Sequence, residues 1–454
     1  MSTVAAISTG LSPGGIGIVR ISGENAVEIA QKVFISKSGK LLKDLRGYSA
    51  LLGSVKSEDG SPVDEVVALV FRGPKSYTGE DVVELNCHGG LFVTRQVLRS
   101  VLSAGALPAP AGEFTKRAFL NGKMDLASAE SVMNIISSHS EQETKVAFNT
   151  LEGALSKKIA DINRILISAS ASLAAWVDYP DDEIEELTSG ELVENLNTAK
   201  TELENLISRF DTGKAVIGGV RTAIVGKPNV GKSTLMNLLL GEDRSIVTSV
   251  EGTTRDIVEE TAVIGAATLR LADTAGLRTS DDEVEKIGVD KAKKWLESAD
   301  FVLAVFDLSR PLTNEDNDIF SLVKNKKCVA ILNKADLEQK ADKNVIIQNF
   351  SDWVEISAKN PEDRQKLCDS IEKTLETADF DPSVASLINA RQKTCCERAL
   401  SDINQAIRDL ENGVTLDAVN VTVDSAIDGL LVLTGEKASD SVINEIFSRF
   451  CVGK

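Results

Sequence analysis

Nine residues constrain this chain more than any others: Gly226-Lys-Pro-Asn-Val-Gly231-Lys232-Ser233-Thr234. They fit the pattern GxxxxGK[ST] and stand between an apolar strand-like run, Thr222–Val225, and an apolar helical run, Leu235–Leu240. Glycines at the two ends permit a backbone curl whose N–H groups point inward at phosphate oxygens, ahead of a helix N-terminus that favours an anion. Lys232 is placed to neutralise the outer phosphates and Ser233 to offer a hydroxyl to Mg2+, while Asn229, Val230, Gly231 and Thr234 complete the cradle. A chance glycine turn would lack the strand before it and the helix after it.

Three further motifs follow in order. Asp273-Thr274-Ala275-Gly276 ends the strand Thr268–Ala272, which puts a carboxylate near the metal and a glycine N–H near the terminal phosphate. Asn333-Lys334-Ala-Asp336 follows the strand Cys328–Leu332. The Asp336 carboxylate accepts from the N1–H and N2–H2 of guanine, a donor pair that adenine lacks, so GTP is favoured over ATP. Ser357-Ala358-Lys359 completes the base pocket with a backbone N–H toward guanine O6. Each motif alone is a common surface turn; all four in this order, over about 130 residues, predict a GTP-binding domain.

Between the phosphate loop and Asp273 lies Gly252-Thr253-Thr254-Arg-Asp256, where Thr254 is placed to close on Mg2+ when the terminal phosphate is present. Position 277 is leucine, which cannot orient an attacking water as a glutamine would, so hydrolysis must borrow another group. The acidic stretch Asp281-Asp-Glu-Val-Glu285 either supplies that carboxylate or is a solvated switch loop.

At 454 residues the chain exceeds one compact core, and two or three domains are expected. Residues 1–120 read as mixed α and β, with β-branched runs such as 17–21 and 66–71 cut by Gly and Pro turns. From about Asp125 to Phe210 apolar positions recur three or four apart, as in two helices separated by a break at 178–182. From Ala215 to about Ala378 strands and helices alternate as in a parallel, helix-covered sheet, and after Pro382 the chain is helical again. Helical segments on both sides of an α/β block predict an insertion whose ends lie close together. The expected domains are 1–120, a discontinuous helical domain from 121–214 and 379–454, and an inserted domain at 215–378.

The net charge of −18 argues against a broad basic nucleic-acid footprint, though not against a local patch. Residues 1–120 hold 13 Lys and Arg against 11 Asp and Glu, a balance of +2, so the remaining 334 residues hold −20. Six cysteines without CxxC spacing point to a reducing, cytoplasmic setting. The N-terminus reads as no secretory signal, and no apolar run is long enough to span a membrane. His88-Gly-Gly90 reads as a turn after the strand Val82–Leu85; with only two histidines, a His/Cys zinc site is not expected.

The motifs Gly226–Thr234, Glu251-Gly-Thr-Thr-Arg-Asp256, Asp273–Leu277, Asn333–Asp336 and Ser357–Lys359 on a helical scaffold, with the tail Phe450-Cys-Val-Gly-Lys454, resemble the MnmE (TrmE) family of tRNA-modification GTPases. The likeness runs over essentially the whole chain, including Arg20-Ile-Ser-Gly, 77–84 and 114–125. It implies a multidomain α/β plus all-α fold: an N-terminal α+β folate-binding domain, a helical-bundle domain and an inserted Ras-like P-loop GTPase domain. It also implies a homodimer formed through the N-terminal domain. It implies a flavoprotein partner, MnmG, expected to carry FAD and NADH, in a heterotetrameric or larger complex. It implies that the two together place an aminomethyl-type group on C5 of the wobble uridine of certain tRNAs, with the carbon expected from a tetrahydrofolate in its 5-formyl or methylene form.

Carried across residue by residue, the resemblance assigns K+ to Asn229, Thr248, Val250 and Thr253, and Mg2+ to Ser233 and Thr254. Ser249, Glu251 and Gly252 join the nucleotide-binding loop, and Glu285 becomes the remote carboxylate that organises the water. A cation beside the outer phosphates does the electrostatic work of an arginine finger. Folate contacts fall to Arg20, Glu84, Lys123 and Lys454, and Cys451 is the one cysteine with an implied catalytic role. Val452 departs from the family's usual isoleucine, a loss of one methylene expected to be neutral. Two other readings compete: a GTP-switched ribosome-assembly or RNA-binding factor without folate chemistry, and a folate-dependent transferase with a purely regulatory G domain. Given the charge balance, tRNA is expected to be gripped mostly by the partner or by a small local patch.

Overall fold

The computed structural model describes residues 1–178, 189–241, 259–272 and 296–454. In chain order the first elements are β1 (Val4–Ile7), β2 (Ile16–Ser22), α1 (Ala26–Val33), β3 (Phe34–Ser36), β4 (Ser49–Lys56), β5 (Pro62–Phe71), β6 (Val82–His88), α2 (Leu91–Ser103), β7 (Leu107–Pro108), α3 (Glu113–Leu120) and α4 (Leu126–Ile136). Helices α5 (Glu141–Leu151), α6 (Ala154–Asp178), α7 (Ser189–Ser208) and α8 (Phe210–Ile217) follow. The alternating segment comprises β8 (Val220–Val225), α9 (Lys232–Leu240), β9 (Glu259–Ile264), β10 (Ala267–Ala272), β11 (Phe301–Asp307), α10 (Asn314–Val323), β12 (Lys327–Asn333), α11 (Lys343–Ile347), β13 (Trp353–Glu355) and α12 (Asp363–Leu375). The chain ends in α13 (Ala390–Glu411), α14 (Leu416–Thr434) and α15 (Asp440–Ser448). No described helix is long and apolar enough to cross a membrane.

The chain divides into two compact units, 1–133 with 428–454, and 134–427. In the first, a seven-stranded sheet has the order β3-β4-β5-β6-β2-β1-β7, antiparallel except where β7 joins β1. One face is covered by α1 and α2: Val19, Ile21, Ala68, Val83 and Leu85 pack with Ala26, Ala30, Val97 and Val101 in a single core. A second cluster joins the two ends of the sequence within this unit. Phe447 and Phe450 pack on Leu126 and Ala129, with the Phe447 ring 6.3 Å from Phe119 and 5.1 Å from Phe450.

In the second unit a six-stranded sheet has the order β13-β12-β11-β8-β10-β9. All neighbours are parallel except β9, which pairs antiparallel with β10 at the edge. β11 is buried at every residue, which its unbroken apolar run Phe-Val-Leu-Ala-Val-Phe requires of a strand covered on both sides. Its alternate residues serve the two layers. Phe301, Leu303 and Val305 pack with Leu235, Leu239 and Ile371, and Val302, Ala304 and Phe306 with Ile319, Val323 and Ile346. Strand order reverses at β8, with β10 on one side and β11 on the other, and in such sheets the crevice beyond the strand ends at the reversal receives ligands.

Two local expectations need correction. The helical stretch from 125 to 210 is not two helices with one break, because the Ser140 hydroxyl caps Glu143 N–H to start α5 and Gly153, at φ +84°, ends that turn before α6. β6 runs to His88 rather than stopping at Leu85, since Ile16 and Gly17 continue the ladder opposite His88 and Cys87. His88 therefore ends a strand, and its Nδ1 lies 2.7 Å from Asp64 Oδ1. Ala215 lies in α8, shortly before β8 opens the alternating segment.

Phe447 is 2% exposed. Phe447→Ala is expected to lower stability by about 3–5 kcal/mol through lost burial and a residual cavity, read as a lower midpoint in thermal or urea unfolding.

Candidate functional site

β8 delivers the chain to Gly226, and the backbone curls through Asn229 at φ +65° and Gly231 at φ +104° before α9 begins at Lys232. The Lys232 Nζ donates to the carbonyls of Gly226 (2.7 Å) and Lys227 (2.8 Å), so the ammonium is held by the loop it serves. Gly231 is needed twice over. Its φ belongs to the left-handed region, and a Cβ there would lie 2.3 Å from Asn333 Nδ2. Ser233 is exposed on the first turn of α9. Left-handed turns, a lysine and a hydroxyl at a nine-residue helix N-terminus fit a polyphosphate with its divalent cation.

Asn333 is the hinge pin of this site. It ends β12, is 2% exposed, donates from Nδ2 to the Val230 carbonyl (2.7 Å) and accepts at Oδ1 from Ala358 N–H (2.9 Å). One amide thus ties the phosphate loop to the Ser357–Lys359 turn. Lys334, at φ +64°, donates to the Asn229 carbonyl (2.9 Å) and to Asp307 Oδ2 (2.6 Å). Ser357 N–H donates to Asp363 Oδ2 (2.8 Å) in the first turn of α12. Ser357 and Ala358 are buried, whereas Asp336 and Lys359 are exposed at the outer side. The two stretches read as contacts to the base, Asn333–Asp336 and Ser357–Lys359, are therefore brought together with the phosphate loop. The side chains of Asn333 and Lys334 bond to protein.

Two acids of this site escaped the sequence reading. Asp307 ends β11 opposite Asn333 in register and holds Lys334 and Ser309. Burial on its own would raise its carboxyl, but the bonds from Lys334 and Ser309 outweigh it and hold the group below the usual carboxylate range. Asp316, 1% exposed, accepts from Lys227 Nζ at 2.5 Å and closes the capping box of α10 with Thr313. A charged residue closing an apolar strand was the signal for Asp307; for Asp316 the signal was the capping-box spacing from Thr313, which does not reveal its bond to Lys227. Thr248, Ser249, Val250, Glu251, Gly252, Thr253, Thr254, Asp273, Thr274, Ala275, Gly276, Leu277 and Glu285 lie outside the described residues.

The second gathering is in the first unit. Arg20 on β2 stands opposite Glu84 on β6, and its Nε donates to Glu84 Oε1 at 2.8 Å. The guanidinium lies 5.5 Å from the Tyr77 ring centre and 5.4 Å from that of Phe114. Tyr77 shares a hydrogen bond with Thr115 Oγ1, and burial raises its phenol. The C-terminal tail threads past the same place. Ala111 bridges Val452, Ser8 Oγ donates to the Gly453 carbonyl (3.0 Å), and Phe114 N–H donates to the Lys454 carbonyl (3.1 Å). Gly453, at φ +97°, leaves no room for a side chain, since a Cβ would meet the Ile7 carbonyl at 2.1 Å. Arg20, Glu84 and the Lys454 backbone are thus grouped around Phe114. Lys123 donates to the Pro74 carbonyl (3.0 Å), and Cys451 is exposed. Tyr77 and Phe114 belong to this group beside the residues singled out from sequence; their signal was the scarcity of aromatics, 4% of the chain.

Asn333→Ala should destabilise by roughly 2–5 kcal/mol in urea unfolding, because a buried carbonyl and a buried N–H both lose their partner. Asp307→Asn should lose a pH-dependent term. A lowered folded pKa gives stability above the unfolded value near ~3.9 that fades as pH falls through the folded value. Unfolding midpoints of the two proteins should therefore differ at neutral pH and converge below about pH 4.

Comparison with known proteins identifies the family of the chain. A family profile described as "GTP-binding protein TrmE N-terminus" matches residues 3–123, and one described as "MnmE helical domain" matches residues 126–451. Proteins named "tRNA modification GTPase MnmE" from Clostridioides difficile (strain 630), Alkaliphilus metalliredigens (strain QYMF) and Lactococcus lactis subsp. cremoris (strain SK11) are 39%, 40% and 42% identical. Each alignment covers 100% of this chain and 99%, 99% and 98% of the relative. Era from Aquifex aeolicus aligns over 40% of this chain and 65% of its own at 29% identity, with a TM-score of 0.26. Matched by both profiles and end to end by these relatives, the chain belongs to the MnmE (TrmE) family of tRNA modification GTPases.

Proposed function

We propose that this protein is the GTP-hydrolysing component of a complex that adds a carboxymethylaminomethyl or aminomethyl group to C5 of the wobble uridine of certain tRNAs. The observation that carries the reading is the Asn333 amide, which holds the phosphate loop and the Ser357–Lys359 turn in one piece beside Asp336. A pocket built this way takes triphosphate at one end and guanine at the other. Relatives aligned end to end bear the name of a tRNA modification GTPase, so an assembly factor without such chemistry is not favoured.

The finer assignments belong to this proposal. Mg2+ is held by Ser233 and Thr254, and K+ by Asn229, Thr248, Val250 and Thr253, where a monovalent cation neutralises developing charge. Glu285 organises the attacking water. The domains run 1–120, 121–214 with 379–454, and 215–378. The protein is a cytoplasmic homodimer working with a flavoprotein that carries FAD and NADH. The group around Arg20 suits a tetrahydrofolate: the half-buried Tyr77 ring and the guanidinium, backed by the buried Phe114, offer stacking and charge to a planar heterocycle with an anionic tail, and Glu84 suits its N–H edge. When bound, the folate supplies the one-carbon unit. Lys454 and Lys123 would meet its acidic tail, and Cys451, an exposed free thiol in the C-terminal tail, is the cysteine assigned a catalytic part.

Calorimetry with 5-formyltetrahydrofolate tests this site. Lys454→Ala should weaken binding by about tenfold, ~1.4 kcal/mol. Arg20→Ala should weaken it further but also strips Glu84 of its partner, so Lys454→Ala is the cleaner arm. No folate binding by the unaltered protein overturns the reading. Hydrolysis of GTP should be faster in K+ than in Na+ and should fall by a factor on the order of 10^2 or more in Glu285→Ala, a loss of ~2.7 kcal/mol or more of barrier lowering; equal rates in the two salts remove the K+ role.

A further inference from the structure

We infer that the outer face of α2, carrying Phe92, Arg95 and Arg99, is a docking surface for RNA, an exposed tRNA loop in particular. The inference rests on the reading above that this chain works on tRNA. The three residues stand at i, i+3 and i+7 and so share one face, while Thr94, Val97 and Val101 turn inward. Phe92 is 74% exposed, more than any other large apolar side chain among the described residues. Leu11, 62% exposed, lies in the loop that bonds to Gly89 just before α2, through Gly14 N–H and the Gly89 carbonyl at 3.1 Å, and Ile16, 65% exposed, opens β2 directly after that loop.

Charge decides what kind of partner fits. α2 contains no acidic residue. Arg95 and Arg99 are exposed and hold no carboxylate, whereas Arg20, Arg72 and Arg117 of the same unit are paired with Glu84, Asp81 and Glu80. Lys32 of α1 is anchored by the Ala104 carbonyl (3.2 Å) just past the end of α2, so the positive line continues there. Unpaired guanidiniums about 6 Å apart along a helix, next to an exposed ring, offer phosphate contacts and a stacking surface to a splayed strand. In a chain of net charge −18, such a stripe is the small local patch that acidic composition still permits.

The test is anisotropy of fluorescein-labelled tRNA with the full-length protein over a range of KCl. The unaltered protein should bind. R95A/R99A should bind about tenfold more weakly and shallow the log K against log salt slope by about 1.4, the release expected from two single-strand phosphates. F92A should weaken binding with the slope unchanged. GTP hydrolysis by the free protein should be the same in all three. Affinity within about twofold of the unaltered protein and an unchanged slope in R95A/R99A overturn the inference. A changed oligomeric state with unchanged tRNA affinity also overturns it and assigns the face to a protein interface. Absence of tRNA binding by the unaltered protein overturns it too, while leaving the GTPase reading to stand on hydrolysis.

Discussion

A single buried amide organises the nucleotide end of this molecule. Asn333 sets its amide NH2 and its carbonyl oxygen on two loops that arrive from different strands, Val230 after β8 and Ala358 after β13. Neither loop is regular structure, and neither would hold its shape alone, because the left-handed turns at Asn229 and Gly231 have no ladder to fix them. The sheet supplies the fixed frame, with β8, β11 and β12 in parallel register, and the Asn333 bonds transmit that frame to the loops. Lys334 repeats the device one residue on, using Asp307 as its counter-charge. The affinity of such a pocket depends on preorganisation, to which both side chains contribute.

The first unit follows a different logic. Its centre is an ion pair, Arg20 with Glu84, placed directly across two central strands and roofed by two rings. Paired charges so little exposed stabilise only modestly in net terms, since desolvation opposes the attraction. They do specify position. The neighbouring Arg117, 2% exposed, bonds to Glu80, Glu113 and the Ser2 carbonyl, so the loop carrying Tyr77 is pinned from a second side.

How much of this was legible in the sequence varied with the range of the interaction. The phosphate loop, its strand and its helix were readable because every requirement lies within about twenty residues. β11 was not singled out as a strand: its unbroken apolar run fits a buried strand or a buried helix segment equally, and the pairing with β8 and β12 decides. The partition of residues 125–210 into four helices was not readable, because the interruptions are a serine cap and one glycine inside a continuous apolar period. β6 was read short for the same reason in reverse: Asn86, Cys87 and His88 have weak strand character, and the ladder to β2 decides. Asp316 and Lys227 are 89 positions apart, and the threading of the tail past Phe114 joins still more distant segments. Such pairings are properties of the folded chain, which local pattern does not encode.

The union of the two ends has a consequence for biosynthesis. The bond between Ser8 and Gly453 joins positions 445 apart, and Ile443, Phe447 and Phe450 pack on the apolar surface of Phe119, Met124 and Leu126. At ribosomal speeds of about 5–20 residues per second, these two parts emerge on the order of 20–90 s apart. Through that interval the nascent amino-terminal part carries an open greasy seam, an invitation to chaperones and to sticking. A polypeptide that stops before Ile443 lacks Phe447 and Phe450 as well and leaves that surface open, so this short helix and the residues after it act as a late-arriving seal.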